Sequence, residues 1–167
     1  MTTTDHPAPA DERDLTCTVN GAPVQLRVPV RRLLSDVLRD DLDLTALQVG
    51  CEDGVCGACT VLLDGEAVRA CTMLAVQADG HDVVTLEGLR DDPFASEVKR
   101  AFSQAHALQC GFCTSGMITT LLACHNAGCD SPDEALHELS GNLCRCTGYL
   151  NIRRAVRGLW QEGEDPR

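Results

Sequence analysis

CEDGVCGACT, residues 51–60, sets Cys51, Cys56 and Cys59 on one short loop, with four and then two residues between successive thiols. Cys71 follows after eleven more residues. A loop that wraps thiolates around one inorganic centre must bend tightly and turn its amide hydrogens toward sulfur, so small residues are needed between the ligands. Gly50, Gly54, Gly57 and Ala58 supply them. The reading of this loop decides what the rest of the chain has to be.

Three thiolates on one loop and a fourth on a separate segment is the ligand spacing of the plant-type 2Fe-2S centre. Amide dipoles aimed at the sulfurs would stabilise the extra negative charge of the reduced form. Two other readings compete. A zinc site of four cysteines ordinarily uses two C-x-x-C knuckles, and only Cys56 to Cys59 has that spacing here. A dithiol redox motif at the same pair would leave Cys51 and Cys71 unexplained.

The loop sits in an acidic chain. Of 167 residues, 25 are acidic and 14 basic, for a net charge of −11. Such a balance argues against a nucleic-acid binder or a protein held on anionic lipid, since both need a basic surface. No stretch approaches the roughly 18 apolar residues of a transmembrane helix. Residues 1–14 have no apolar run behind a basic start, and Arg31-Arg32 is followed by Asp36, Arg39, Asp40, Asp41 and Asp43, so neither a secretory nor a twin-arginine signal is read. The expected location is cytoplasmic. There the 11 cysteines face reducing conditions and more often serve metals than disulfides.

Composition divides the chain. All five aromatic residues lie at or beyond Phe94: Phe94, Phe102, Phe112, Tyr149 and Trp160. Residues 1–93 hold 17 acidic and 7 basic side chains (net −10), against 8 and 7 (net −1) in residues 94–167. The first part reads as α+β. Leu15–Val19 and Val24–Val28 form a hairpin turning at Asn20-Gly21, and Val61–Val68 forms a second turning at Asp64-Gly65. Leu33, Leu34, Val37 and Leu38 recur at helical spacing, and Val83–Leu86 reads as a further strand. The second part reads as all-α. Its helices are marked by Phe94, Val98, Ala101, Phe102 and Ala105; by Met117–Cys124; by the Ser131-Pro132-Asp133-Glu134 start signal; and by Ile152, Val156, Leu159 and Trp160. Four short helices bury little by themselves and call for a metal staple. The expected organisation is a flexible N-terminal segment (1–14), a first domain (15–88), a linker (89–93), a helical domain (94–160) and a flexible tail (161–167).

The helical part carries its own four thiols. Cys110-Gly111-Phe112-Cys113 is followed, thirty residues later, by Cys144-Arg145-Cys146. Residues three apart at a helix start share a face, and residues two apart in an extended segment share a side, so both pairs can address one centre. A helix beginning near Thr114 would offer its free amides to an anionic cluster. Spacing alone leaves iron-sulfur and zinc open for this set.

The strings CEDGVCGACTVLLDG, LQCGFCTSGMI and GNLCRCTGYLNI, in this order, resemble the small iron-sulfur subunit of the xanthine oxidase family of molybdenum hydroxylases, over roughly residues 15–158. The resemblance implies an N-terminal β-grasp domain of plant-type ferredoxin kind and a C-terminal four-helix domain, each with one 2Fe-2S cluster. It implies Cys51, Cys56, Cys59 and Cys71 as ligands of the first cluster, and Cys110, Cys113, Cys144 and Cys146 as ligands of the second. By the same resemblance Gln109 and Cys146 lie against the molybdenum cofactor. The partners implied are a large molybdopterin-binding subunit, with the cofactor in its cytosine dinucleotide form, and a medium FAD-binding subunit, in a heterotrimer that could itself pair. The chain would pass electrons from molybdenum to FAD without turning over substrate alone. A free-standing two-cluster ferredoxin and a zinc-binding scaffold are the alternatives. Ser115 departs from the family, where proline often stands, and Asp53 occupies a variable position.

Some residues are left over. Cys17, Cys124 and Cys129 are expected to pack as buried thiols. His6, His81, His106, His125 and His137 show no paired catalytic spacing, and no C-x-H motif of a Rieske centre is present. Arg145, Arg153, Arg154 and Arg157 form either a solvated helix face or a docking surface. The charge difference suggests that the near-neutral helical half meets the large subunit while the acidic half stays exposed.

Overall fold

The computed structural model describes residues 11–160. Of the flexible ends expected at residues 1–14 and 161–167, residues 1–10 and 161–167 lie outside the described residues. Strands β1 (Glu12–Val19) and β2 (Ala22–Pro29) form the first hairpin, with Val19 facing Ala22. Its turn is built by Asn20 at φ 52° and Gly21 at φ 78°, the left-handed pair that a two-residue hairpin requires. Strand β1 begins at Glu12, so Glu12, Arg13 and Asp14 are strand and not part of the flexible segment expected at residues 1–14. Their partners across the hairpin hold them: Arg13 faces Val28, and the Arg27 Nε donates to Glu12 Oε2 at 2.9 Å.

The short helix α1 (Leu34–Asp36) runs into a π turn at Val37–Asp41, in which the Leu42 amide reaches the Val37 carbonyl at 3.0 Å. Strands β3 (Thr60–Leu63) and β4 (Glu66–Arg69) form the second hairpin, and β5 (Asp82–Val84) lies between the two hairpins. The sheet order is β2-β1-β5-β3-β4, with β5 parallel to β1 and antiparallel to β3. Helices α2 (Pro93–Gln104), α3 (Thr114–Asn126), α4 (Pro132–Glu138) and α5 (Leu150–Trp160) complete the chain.

The halves share the sheet between them. Successive strand residues point to opposite faces, so Val61 packs with Leu15, Leu34 and Leu38 on one side while Leu62 packs with Phe102, Met117 and Leu121 on the other. Val83 and Val84 divide in the same way. The expected linker at 89–93 is accordingly short and structured. Leu86–Leu89 forms a 3-10 turn, and Asp92 caps α2 by accepting from the Ala95 amide at 2.7 Å, with Pro93 inside the first turn.

The start of α4 follows the signal read in the sequence. Ser131 Oγ accepts from the Glu134 amide at 3.3 Å, and Pro132 opens the helix. Replacing either cap, Asp92→Ala or Ser131→Ala, should lower the unfolding free energy by about 1 kcal/mol. Urea denaturation of the two variants checks this, and an unchanged midpoint at both sites would contradict it.

Candidate metal centres

Both cysteine groups expected from the sequence are brought together. In the first, Cys51, Cys56 and Cys59 come from the loop between the π turn and β3, and Cys71 from a 3-10 turn that follows β4. The Cys56 amide donates to Cys51 Sγ at 3.4 Å, so the loop does turn an amide toward sulfur. Cys59 and Cys71 are buried, while Cys51 and Cys56 are partly exposed. Burial, reinforced by a hydrogen bond with Cys59, pushes the Cys71 thiol up to about 11.

In the second group, Cys110 and Cys113 precede α3, while Cys144 and Cys146 lie between α4 and α5. Cys110 Sγ and Cys146 Sγ are 3.4 Å apart, both on the exposed surface. The Phe112 amide, together with Cys146, lowers the Cys110 thiol. Burial and the neighbouring Cys144 push Cys113 up to about 12. Burial also works to raise Cys144, yet its thiol is lowered, because the Thr147 hydroxyl and the amides of Thr147 and Cys146 outweigh that cost. The Thr147 hydroxyl donates to Cys144 Sγ at 3.2 Å. Gln109 sits exposed beside Cys110.

Among the described residues no three His, Cys, Asp or Glu side chains converge as the ligand set of a single ion. What the structure does pair is Cys51 with Cys56, Cys59 with Cys71, Cys110 with Cys146 and Cys113 with Cys144. Free thiols must shed their protons before they ligate, so the raised Cys71 and Cys113 groups put protons in competition with metal.

The sequence did not reveal the contacts that fasten the two loops. Gly57 and Gly116 meet backbone to backbone, and a Cβ on Gly116 would stand 2.1 Å from the Gly57 carbonyl oxygen. That oxygen also accepts from the buried Asn142 Nδ2 at 3.0 Å and from Thr60 Oγ1 at 2.6 Å. The Leu143 amide donates to the Cys56 carbonyl at 2.8 Å, and Arg69 reaches the Gly141 carbonyl at 3.0 Å. The ring of Phe112 lies over Gly50, within 3.1 Å of where its Cβ would be. Each residue lies in or beside a cysteine motif, but no periodicity marks their pairing.

Comparison with known proteins agrees with this geometry. Residues 17–85 match the 2Fe-2S iron-sulfur cluster binding domain, and residues 85–157 match the [2Fe-2S] binding domain. The caffeine dehydrogenase subunit gamma of Pseudomonas sp. (strain CBB1) is 50% identical over 149 residues, covering 87% of this chain and 89% of that one. The chain belongs to the iron-sulfur subunits of the xanthine oxidase family of molybdenum hydroxylases. The nicotine 6-hydroxylase small subunit of Paenarthrobacter nicotinovorans is 47% identical, with 90% and 91% covered. Among solved structures, a chain of quinoline 2-oxidoreductase from Pseudomonas putida 86 superposes with a TM-score of 0.81 at 43% identity, covering 89% of this chain and 92% of that one. The aldehyde oxidoreductase of Desulfovibrio gigas matches with a TM-score of 0.79 at 37% identity, and there 89% of this chain corresponds to 17% of a much longer one.

The leftover cysteines behave differently from one another. Cys17 packs as a buried thiol in the first core, its pKa raised by burial and by Asp79 and Asp82. Cys124 and Cys129 are paired as a disulfide, which corrects the expectation that both pack as free thiols. The cause is the end of α3. Gly128 at φ 88° turns the chain back, the Cys129 amide bonds the Cys124 carbonyl at 2.9 Å and the Gly128 amide bonds that of His125 at 3.0 Å. This double closure sets the two residues side by side. Arg145, Arg153, Arg154 and Arg157 are all exposed.

Iron and sulfide uptake by the metal-free chain should release protons, and its apparent affinity should keep rising with pH toward the raised Cys71 and Cys113 thiols at about 11 and about 12. Uptake followed by visible absorption and proton release checks this; affinity independent of pH would contradict it.

Proposed function

We propose that the chain is the electron-transfer subunit of a molybdenum hydroxylase complex, with Cys51, Cys56, Cys59 and Cys71 holding one 2Fe-2S cluster and Cys110, Cys113, Cys144 and Cys146 the other. The observation that carries this reading is the hydrogen bond from the Leu143 amide to the Cys56 carbonyl. It joins a residue of the first quartet to the immediate neighbour of Cys144 in the second, so one short bonded route connects the two metal sites. Each cluster exchanges one electron at a time, and this chain's residues set their spacing and surroundings.

In this reading the sheet half is a β-grasp ferredoxin-like unit and the helical half a four-helix unit. The exposed Gln109, Cys110 and Cys146 face a large subunit that carries molybdopterin in its cytosine dinucleotide form, with Gln109 and Cys146 against the pterin. Electrons enter there, cross to the first quartet and leave toward a medium FAD-binding subunit. The assembly is a heterotrimer, able to pair, in the cytoplasm. The near-neutral helical half docks on the large subunit, since enclosing the acidic half would need many matched charges. The substrate is bound on the large subunit, and the relatives of this chain are named for caffeine, nicotine, quinoline and aldehyde alike.

The loaded chain should contain about four irons and absorb in the visible. It should show no hydroxylase turnover without a molybdenum partner. Zinc in place of iron, or turnover by the chain alone, would overturn the proposal. Leu143→Pro removes the bridging amide without displacing a buried side chain, and Asn142 at φ −115°, ψ 110° already has the conformation that precedes proline. It should slow electron passage between the clusters, whereas Leu143→Ala should not.

A further inference from the structure

The Cys124–Cys129 disulfide lies apart from both quartets and lines a cleft of ≈ 270 Å³ between α3, α4 and the start of β4. The walls of the cleft carry three carboxylates, from Glu66, Glu134 and Glu138, and no basic side chain among the described residues. Cys124 and Cys129 are themselves 7% and 8% exposed, so a reagent reaches them through this cleft. The bridge closes the loop whose Cys129 carbonyl accepts from Trp160 Nε1 at 2.9 Å, and that links it to the end of α5.

We propose that Cys124 and Cys129 form a reversible dithiol–disulfide couple that exchanges with small neutral or cationic thiols and resists anionic ones. In the reducing direction an external thiolate attacks one protein sulfur, giving a mixed disulfide and releasing the other sulfur as a thiolate. A second external thiol then displaces the first. Two external thiols become one disulfide, and the protein gains two electrons and two protons as a pair of thiols; a small organic disulfide drives the reverse. The attacking species is a thiolate, so its approach is governed by charge, and the three carboxylates repel it in proportion to its net charge. A bridge of this kind in a reducing compartment is transient or regulatory. The inference is independent of the iron reading, because neither cysteine belongs to a quartet.

The test uses the full-length, iron-loaded chain and follows alkylation of the peptide that contains Cys124 and Cys129 by mass spectrometry, with cluster absorption recorded in parallel. Three reductants are compared: cysteamine, whose thiolate is overall neutral; mercaptoethanol, singly negative; and mercaptoethanesulfonate, doubly negative. Each rate is divided by the same thiol's rate on hydroxyethyl disulfide, which removes intrinsic reactivity. At low salt cysteamine should lead mercaptoethanesulfonate by about tenfold, with mercaptoethanol between, and the gap should close in about 1 M salt. The triple variant Glu66→Gln, Glu134→Gln, Glu138→Gln should close it at low salt too. Trp160 emission should change with reduction in the native chain and stay constant in Cys129→Ser. Two results would overturn the proposal: both cysteines alkylated at once and still so after hydroxyethyl disulfide treatment, or normalised rates that ignore reductant charge.

Discussion

The backbone contact between Gly57 and Gly116 governs how the two halves meet. Only two residues without side chains allow the cysteine loop and the first turn of α3 to approach so closely, and the Gly57 carbonyl is then held by Asn142 and Thr60. Because Gly57 lies between Cys56 and Cys59, and Gly116 lies three residues after Cys113, the contact fixes one quartet against the other. Leu62 and Val84 then extend the shared core beneath it, so the sheet serves both halves. What the sequence divides by charge and aromatic content, the packing unites.

That union suits an electron carrier better than two tethered beads would. Transfer between centres needs a fixed separation, and a rigid scaffold with satisfied hydrogen bonds supplies one. Asn142 is central to it. Its side chain bonds the Gly57 carbonyl and Thr120, its neighbour Leu143 bonds Cys56, and Cys144 follows at once. Tyr149 closes the same segment by accepting from the Cys144 amide at 2.7 Å. Cys110 and Cys146 stay exposed.

Features set by neighbouring residues could be read in the sequence. Asn20-Gly21 and Asp64-Gly65 marked their hairpins because the left-handed conformation they favour is local, and the close spacing of Cys51, Cys56 and Cys59, of Cys110 with Cys113, and of Cys144 with Cys146 is local too, whereas the grouping of these segments into two sets of four came from the family resemblance. The Ser131-Pro132 helix start was legible, while the equivalent Asp92-Pro93 was hidden inside an expected linker. Other features depended on distant partners. Glu12 to Asp14 fell in the expected flexible segment because their partners, Arg27 to Pro29, lie beyond the hairpin turn. The π turn at Val37–Asp41 shares its apolar spacing with an α-helix over so few residues. The Cys124–Cys129 bridge depends on the turn that Gly128 makes just past the end of α3, which signals a helix end and not a pairing of thiols. The Gly57–Gly116 contact had no local sign, since two glycines nearly sixty residues apart carry no shared pattern.

Spin coupling between the two reduced clusters in the Gly116→Ala chain tests the rigid clamp most directly, using electron paramagnetic resonance on the iron-loaded protein. A Cβ placed 2.1 Å from the Gly57 oxygen must push the loops apart, so the splitting expected of the native chain should weaken or vanish while each cluster keeps its own spectrum. A variant with full iron content and an unchanged splitting would contradict the claim that this contact sets the distance between the two centres.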